Sequence, residues 1–217
     1  MNMTDKITQF LRTENEPSNA QYLCFNTGGV EVEVGEFFYG LVRMMKPKAI
    51  LETGTHKGIS AAYMAGALKD NSDRGAYGTI TTIEFLEPNY NESSELFAKL
   101  GLENFVRQEL KDASQYNPGD TQFDIIFLDT EPQTRFSELI KFYPNLKDGG
   151  IMGIHDLHPH MHQIENADHG FAWPYGPIPV AMDELIKQKK LVPFHFRTPR
   201  GLTMFYKPGA EDYYYAV

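Results

Sequence analysis

Acidic side chains recur in this sequence at the points where short apolar or β-branched runs come to an end. The positions are Glu52, Glu84, Asp112, Asp129 and the pair His155-Asp156. If these runs are parallel strands, their carboxyl ends lie along the edge of a sheet where open α/β folds bind ligands. Carboxylates there can accept hydrogen bonds from a ribose diol, balance a cation or hold a hard metal ion. The pattern therefore predicts a ligand site lined by acidic groups.

A glycine turn follows the first of these acids, in the segment from Glu52 to Gly58. Gly54 can adopt a positive φ and let a ligand approach the backbone, and Gly58 lets a helix begin close to the strand. The G-x-x-x-G spacing differs from the G-x-G-x-x-G of dinucleotide-binding proteins, and Lys57 does not stand in a phosphate-loop spacing. An acid beside the turn repels a pyrophosphate and suits an ammonium group. A plain tight turn is the alternative interpretation.

Glu84 is the second candidate, 30 residues after Gly54 and at the end of the next predicted strand. A carboxylate at that position can accept two hydrogen bonds from a ribose diol. Phe85 beside it could pack against an adenine face. A capped strand end without ligand chemistry is the alternative.

Composition sets the broad class. The 217 residues are 41% hydrophobic and 23% charged, which is ordinary for a globular protein of one domain. The net charge of −9 disfavours nucleic acid as a partner. The sequence has no apolar run of about 18 residues and no signal-peptide pattern, so we expect no membrane span. The single Cys24 fits a reducing compartment, and we expect a cytoplasmic protein.

Alternating strand and helix patterns fill the middle of the chain. Strands are predicted at 49–51, 78–85, 104–110, 123–128, 150–154, 191–196 and 202–207, and helices at 34–45, 59–68, 91–100, 134–143 and 182–189. Asn91 or Ser93 is the expected N-cap of the third helix. This order predicts an α/β fold, with a doubly wound, mostly parallel sheet and an antiparallel C-terminal hairpin. Residues 1–33 form an N-terminal extension, and residues 157–177 form a long loop that we interpret as a substrate lid with Trp173 and Tyr175.

Several of these segments resemble known motifs. ILETGTHKGISAAYMA at 50–65 resembles the first motif of class I S-adenosylmethionine-dependent methyltransferases, and TTIEF resembles their second-strand motif. FDIIFLDT and LKDGGIMGIHD resemble the motifs of the fourth and fifth strands. The set, over 35–156, is similar to small-molecule O-methyltransferases of the catechol, macrocin and sugar type and to the cephalosporin-hydroxylase-like branch. Lys111-Asp112-Ala113 departs from the family, which often has glycine before the acid.

The resemblance implies a single methyltransferase domain over 1–217 with a Rossmann-like, seven-stranded sheet and S-adenosylmethionine as cofactor. Glu84 would bind the ribose, Glu52 and Gly54 would frame the methionine end, and Ser60 would donate to the methionine carboxylate. The cofactor-binding candidates are Glu52, Gly54, Thr55, Gly58, Ser60, Glu84, Phe85, Asp112, Ala113 and Asp129.

Asp129 and His155 are the candidate catalytic residues, because the acceptor must lose a proton during methyl transfer. The resemblance to metal-dependent members points to Mg²⁺ or Mn²⁺ held by Asp129, His155 and Asp156, although the family's usual Asp-Asn pair reads His-Asp here. The alternatives are that His155 is a metal-free general base, or that it only packs under the loop.

The sequence therefore predicts an O-methyltransferase that acts on a hydroxyl of a small molecule such as a sugar, a phenol or a natural product. A homo-oligomer is left open, since the apolar stripe of 34–45 is either core or an oligomer face. The rivals are a nicotinamide-dependent oxidoreductase, which lacks its glycine motif here, and a non-catalytic S-adenosylmethionine-binding protein. Nucleic-acid methylation is disfavoured by charge and by Asp129-Thr130-Glu131-Pro132, which stands where an N-P-P-Y-like motif would lie.

Overall fold

A computed structural model of the chain describes Ile7, residues 29–157, residues 180–196, Thr198, residues 200–209 and Asp212. Most of the predicted N-terminal extension, including Cys24, lies outside these residues. So does the predicted lid beyond residue 157, with its histidines at 158, 160, 162 and 169 and with Trp173 and Tyr175.

The chain divides into two compact units, and residues 1–116 form the first. Its elements are α1 (Val32–Met45), β1 (Ala49–Thr53), α2 (Ile59–Ser72), β2 (Thr79–Glu84), α3 (Glu87–Leu100), β3 (Val106–Leu110) and a 3-10 turn at Ala113–Gln115. Strand β2 pairs in parallel with β1 on one side and with β3 on the other. The carboxyl ends of β1, β2 and β3 therefore point in one direction.

Residues 117–217 form the second unit. Its elements are β4 (Phe123–Leu128), α4 (Arg135–Phe142), a 3-10 turn at Tyr143–Asn145, β5 (Leu146–His155), α5 (Val180–Lys187), β6 (Val192–Phe196) and β7 (Leu202–Tyr206). Strands β4 and β5 are parallel, whereas β7 runs antiparallel to β5 and to β6. Across the described parts of both units, we find no helix with the length and apolar character that crossing a bilayer requires.

The strand order in the seven-stranded sheet is β3-β2-β1-β4-β5-β7-β6. This order confirms the predicted fold class, a Rossmann-like sheet that is mostly parallel and ends in an antiparallel hairpin. The hairpin is β6 and β7, close to the predicted strands at 191–196 and 202–207. The assignment of one domain to the whole of 1–217 stays a prediction.

The two units bury continuous apolar runs, which is typical of strands covered on both faces. In β1, Ile50 and Leu51 are fully buried, and in β4 the four residues 125–128 are fully buried. Helix α2 is buried along 59–68, where small alanines let neighbouring elements approach closely. A Cβ at Gly35 would lie 2.4 Å from the Tyr63 ring, so this glycine is what lets α1 pack against α2.

Two elements begin four residues earlier than the sequence predicts. Helix α3 begins at Glu87, so the predicted N-cap at Asn91 or Ser93 is wrong. Pro88 stands in the first turn, where its fixed φ favours helix initiation, and Ser93 instead donates to the carbonyl of Tyr90 (3.0 Å) inside the helix. Strand β5 begins at Leu146, four residues before the predicted start.

Gly58 and Gly75 provide a matched test of how closely the turn after β1 is packed. Both have a φ of 81°, but a Cβ at Gly58 would lie 2.8 Å from Phe97 and from the Ser93 Cβ, whereas Gly75 has nothing within 4 Å. We expect Gly58→Ala to lower the free energy of unfolding by about 2 to 4 kcal/mol, because strain and overpacking add. Gly75→Ala should cost only about 1 kcal/mol, from strain alone. Urea unfolding measures both, and equal losses would contradict the packing described here.

Candidate active site

The carboxylate of Glu84 ties the turn after β1 to the end of β2. Its Oε2 accepts a hydrogen bond from the backbone N–H of His56 (2.7 Å). Its Oε1 accepts from the N–H groups of Phe85 (3.0 Å) and Leu86 (2.9 Å). The residue is buried, and three of the roughly four acceptor positions of a carboxylate are filled by the chain. A ligand would therefore meet a carboxylate whose direction is already fixed.

The turn itself folds over the end of β2. The N–H groups of Gly54 and Thr55 both donate to the carbonyl of Ile83, at 2.9 and 3.1 Å. Gly54 has a φ of 82° and His56 a φ of 47°, so the backbone is left-handed on both sides of Thr55. The N–H of Gly58 closes the turn on the carbonyl of Thr55 (2.8 Å).

A chain of buried hydroxyl groups surrounds the carboxylate of Glu52. Ser60 Oγ donates to its Oε1 (2.5 Å), and Thr82 Oγ1 donates to its Oε2 (2.5 Å). Thr55 Oγ1 lies 2.5 Å from Thr82 Oγ1. Because the single hydroxyl hydrogen of Thr82 goes to Glu52, Thr55 must be the donor to Thr82. All four side chains are buried, so the chain holds the strand, the turn and the start of α2 together.

These contacts bear on the roles predicted for Glu52 and Ser60. Glu52 is 0% exposed, so its carboxylate lies beneath the turn. The one hydroxyl hydrogen of Ser60 is used by Glu52, not offered to a ligand. That Glu52 frames a methionine group and that Ser60 donates to its carboxylate both stay predictions.

The candidates for an adenine site lie at the ends of β2 and β3. Phe85 is 60% exposed, so its ring is accessible to a planar ligand. Asp112 Oδ1 accepts from the N–H of Ser114 (2.7 Å) and caps the short 3-10 turn, and Ala113 is buried there. The capping role of Asp112 is structural, and its predicted place near an adenine stays a prediction.

In the second unit, the ends of β4 and β5 bring Asp129, His155 and Asp156 together. One ligand atom from each lies within 4.8 Å of the others. His155 Nδ1 is 3.2 Å from Asp129 Oδ1 and 3.5 Å from Asp156 Oδ1. Of the three side chains, His155 is 0%, Asp156 5% and Asp129 10% exposed, so Asp129 is the most accessible.

Arg135, the first residue of α4, lies between the two carboxylates. Its Nη2 donates to Asp129 Oδ1 (3.0 Å), and its Nη1 donates to Asp156 Oδ2 (2.9 Å). Its Nη1 also donates to the carbonyl of His155 (2.5 Å), and its Nε donates to the carbonyl of Thr130 (2.7 Å). The residue is 3% exposed. This buried guanidinium therefore joins the ends of β4 and β5.

Arg200, in the turn before β7, completes the surroundings of Asp156. Its Nε lies 2.7 Å from Asp156 Oδ1, and its Nη2 donates to Asp156 Oδ2 (3.0 Å), which is a two-pronged pairing. Burial by itself raises the pKa of Asp156, but His155, Arg135 and Arg200 together outweigh burial and lower that pKa to about 2. Asp156 is therefore ionised at neutral pH.

The sequence analysis missed Thr82, Arg135 and Arg200. Thr82 stands opposite Glu52 in the parallel register of β1 and β2, and that register is a product of folding. Arg135 did carry a signal. A cation at a helix N-terminus is opposed by the helix dipole, so it needs nearby acids to offset the cost.

A resident divalent cation does not fit this donor set as it stands. Mg²⁺ requires near-octahedral coordination by oxygen, with unblocked carboxylate oxygens. Oδ1 of Asp129 and both oxygens of Asp156 are already paired with guanidinium groups. The third candidate ligand is an imidazole nitrogen, which Mg²⁺ does not favour.

The hydroxyl chain around Glu52 can be tested by replacing Thr82 with valine, which keeps the shape and removes the hydrogen. We expect Thr82→Val to lower the free energy of unfolding by about 1 to 3 kcal/mol, because buried Glu52 and Thr55 each lose a partner. Thr79→Val, at an exposed position of the same strand, should change it by no more than about 0.5 kcal/mol. Equal effects of the two substitutions in urea unfolding would contradict the hydrogen-bonded chain of hydroxyl groups around Glu52.

The chain is similar to known methyltransferases in sequence and in fold. Residues 51–157 match a family model described as a methyltransferase domain. A curated relative from Mycobacterium avium, named "Putative O-methyltransferase", is 26% identical over 132 residues, which cover 59% of this chain and 56% of the relative. The matched part thus spans little more than half the length of that relative.

Two solved structures share the fold. The O-methyltransferase TomG from Streptomyces achromogenes, in complex with S-adenosylmethionine, has a TM-score of 0.67 at 19% identity, over 96% of this chain and 91% of that one. The O-methyltransferase from Bacillus cereus, in complex with S-adenosylhomocysteine, has a TM-score of 0.66 at 18% identity, over 94% and 90%. Together with the match over residues 51–157, these likenesses show that the chain has the fold of the class I S-adenosylmethionine-dependent methyltransferases.

Proposed function

We propose that this protein transfers the methyl group of S-adenosylmethionine to a hydroxyl of a small molecule. The observation that carries the proposal is the carboxylate of Glu84, which three backbone N–H groups fix at the end of β2 beside the glycine turn. The acceptor position that remains on this carboxylate can take a ribose hydroxyl of a nucleoside without reorganising.

The other cofactor contacts are proposed around Glu84. The exposed ring of Phe85 would pack on the adenine, with Asp112 and Ala113 near it. The glycine turn would leave room for the methionine end, since Gly54 presents no side chain. Because Glu52 and its hydroxyl partners are buried, we propose that they shape this turn.

Asp129 is the proposed proton acceptor of the reaction. In an in-line displacement the sulfur–methyl bond breaks while an oxygen–methyl bond forms, and the acceptor hydroxyl gives its proton to a base. Asp129 Oδ1 is held by Arg135 and His155, whereas no residue of the described chain donates to its Oδ2. The free oxygen can take the proton, and His155 would keep the carboxylate in position.

The sequence also predicted a divalent cation that activates the acceptor, and this is not part of the proposal. The clustering of Asp129, His155 and Asp156 within 4.8 Å favours it, and their guanidinium partners oppose it. A bound Mg²⁺ or Mn²⁺ would lower the pKa of the acceptor hydroxyl.

Two observations support a small-molecule hydroxyl as the methyl acceptor, namely the names of related proteins and the net charge of this chain. The names of the related proteins specify methyl transfer to oxygen. The net charge of −9 opposes a polyanionic acceptor and so supports a small molecule. A cytoplasmic location, which the sequence suggested, is also part of the proposal.

Glu84 can be tested by calorimetric titration with S-adenosylhomocysteine. We expect Glu84→Gln to weaken binding about 10- to 100-fold, because a hydrogen-bonded charged group is lost. Glu87→Gln, three residues on at the exposed start of α3, is the matched control and should leave the affinity unchanged. Equal affinities of wild type and Glu84→Gln, with both proteins folded by circular dichroism, would contradict the ribose assignment.

The rival functions can be separated by thermal shift. S-Adenosylhomocysteine at about 100 times its dissociation constant should raise the melting temperature by about 5 to 10 °C, whereas NADH should leave it unchanged. Stabilisation by NADH alone would favour an oxidoreductase. Stabilisation by S-adenosylhomocysteine, with no methyl transfer to any member of a panel of sugars and phenols, would favour a non-catalytic binding protein.

A further inference from the structure

We propose that the Arg135 guanidinium occupies the place of a divalent cation between Asp129 and Asp156, so that methyl transfer by this protein needs no metal. The inference rests on the proposed function and concerns only the acceptor side of the reaction. It makes Arg135 a positioning residue, one that acts through Asp129.

The first support is the position of the cation. The guanidinium reaches both carboxylates at once, 3.0 Å from Asp129 Oδ1 and 2.9 Å from Asp156 Oδ2. An ion that used these same two oxygens as ligands would have to bind in the same space. Arg135 makes two further hydrogen bonds to the carbonyls of Thr130 and His155, so it is held by the ends of both strands.

The second support is the charge balance of the cluster. Asp129 and Asp156 carry two negative charges, and Arg135 and Arg200 carry two positive charges that persist at any working pH. The two arginines balance the two carboxylates even before any charge on His155 is counted. A divalent ion would leave an excess of two positive charges in a buried place, where uncompensated charge is expensive.

The third support is the free-energy cost of displacing Arg135 to make room for a metal ion. Arg135 is 3% exposed and starts α4, so it has no solvent-facing position to take up without moving the helix. Leaving would break these four hydrogen bonds and take the guanidinium away from buried Asp156 and half-buried Asp129. Removing one partner of a buried ion pair is strongly destabilising in general.

In this arrangement the Arg135 guanidinium also orients the carboxylate of Asp129. Arg135 and His155 both contact Oδ1 of Asp129, which turns Oδ2 away from them. A metal would instead take the carboxylate oxygens as its own ligands. The cluster is therefore built to present one carboxylate oxygen to a hydroxyl, and the positive charge behind it is permanent.

The test is a titration of the chelator-treated full chain with MnCl₂, in which the electron paramagnetic resonance signal of free Mn²⁺ reports binding. We expect no bound Mn²⁺ that depends on Asp156, so wild type and Asp156→Asn should give the same titration curve. Stoichiometric Mn²⁺ binding by the wild type that is lost in Asp156→Asn would overturn the proposal.

Arg135→Gln provides the second arm, because it removes the cation and leaves the carboxylates. Once shown to be folded by circular dichroism, this variant should gain a Mn²⁺ site that Arg135→Lys, which keeps a positive charge, does not gain. A folded Arg135→Gln protein without Mn²⁺ binding would contradict the assigned place of Arg135. If the variant does not fold, the wild-type titration still decides.

Titration of the same samples with S-adenosylhomocysteine separates this inference from the proposed function. Wild-type affinity should be unchanged by chelator. Absence of S-adenosylhomocysteine binding would contradict the proposed function, whereas a Mn²⁺ site dependent on Asp156 in a protein that binds S-adenosylhomocysteine would contradict only the metal-free inference.

Discussion

A buried carboxylate must find its hydrogen-bond donors or its counter-charge inside the protein, and this constraint shapes the candidate site. Glu52, Glu84 and Asp156 are all buried near the carboxyl ends of parallel strands. Each is satisfied by a different kind of partner. Hydroxyl groups surround Glu52, backbone N–H groups surround Glu84, and guanidinium groups surround Asp156.

The groups that satisfy these carboxylates have a structural role and also a role in the proposed function. The donors that satisfy Glu84 also fix the turn after β1, so a nucleoside would meet a surface that needs little rearrangement. In the second unit, Arg135 satisfies two carboxylates and at the same time sets the direction of Asp129. Groups held in this way act on a reaction without a reorganisation cost.

The sequence predicted much of the fold because its strands are marked by apolar composition. Strand β4 was predicted at its observed bounds, 123–128, since a run of large apolar residues ends there in an acid. The start of α3 was missed because Asn91 and Ser93 are good N-cap residues, while the proline at 88 had already set the helix. Local helix-start preferences alone do not show whether the proline at 88 or the N-cap residues at 91 and 93 begin the helix.

The acidic residues of the candidate site could be predicted from the sequence, but their hydrogen-bond and ion-pair partners could not. Strand ends placed Glu52, Glu84 and Asp129, whereas Thr82 reaches Glu52 only through strand register and Arg200 reaches Asp156 only through the hairpin.

The most direct test of the ribose site proposed at Glu84 is a crystal structure with S-adenosylhomocysteine. It should show a ribose hydroxyl within hydrogen-bonding distance of the Glu84 carboxylate. A nucleoside bound elsewhere, with Glu84 contacting backbone N–H groups alone, would contradict it.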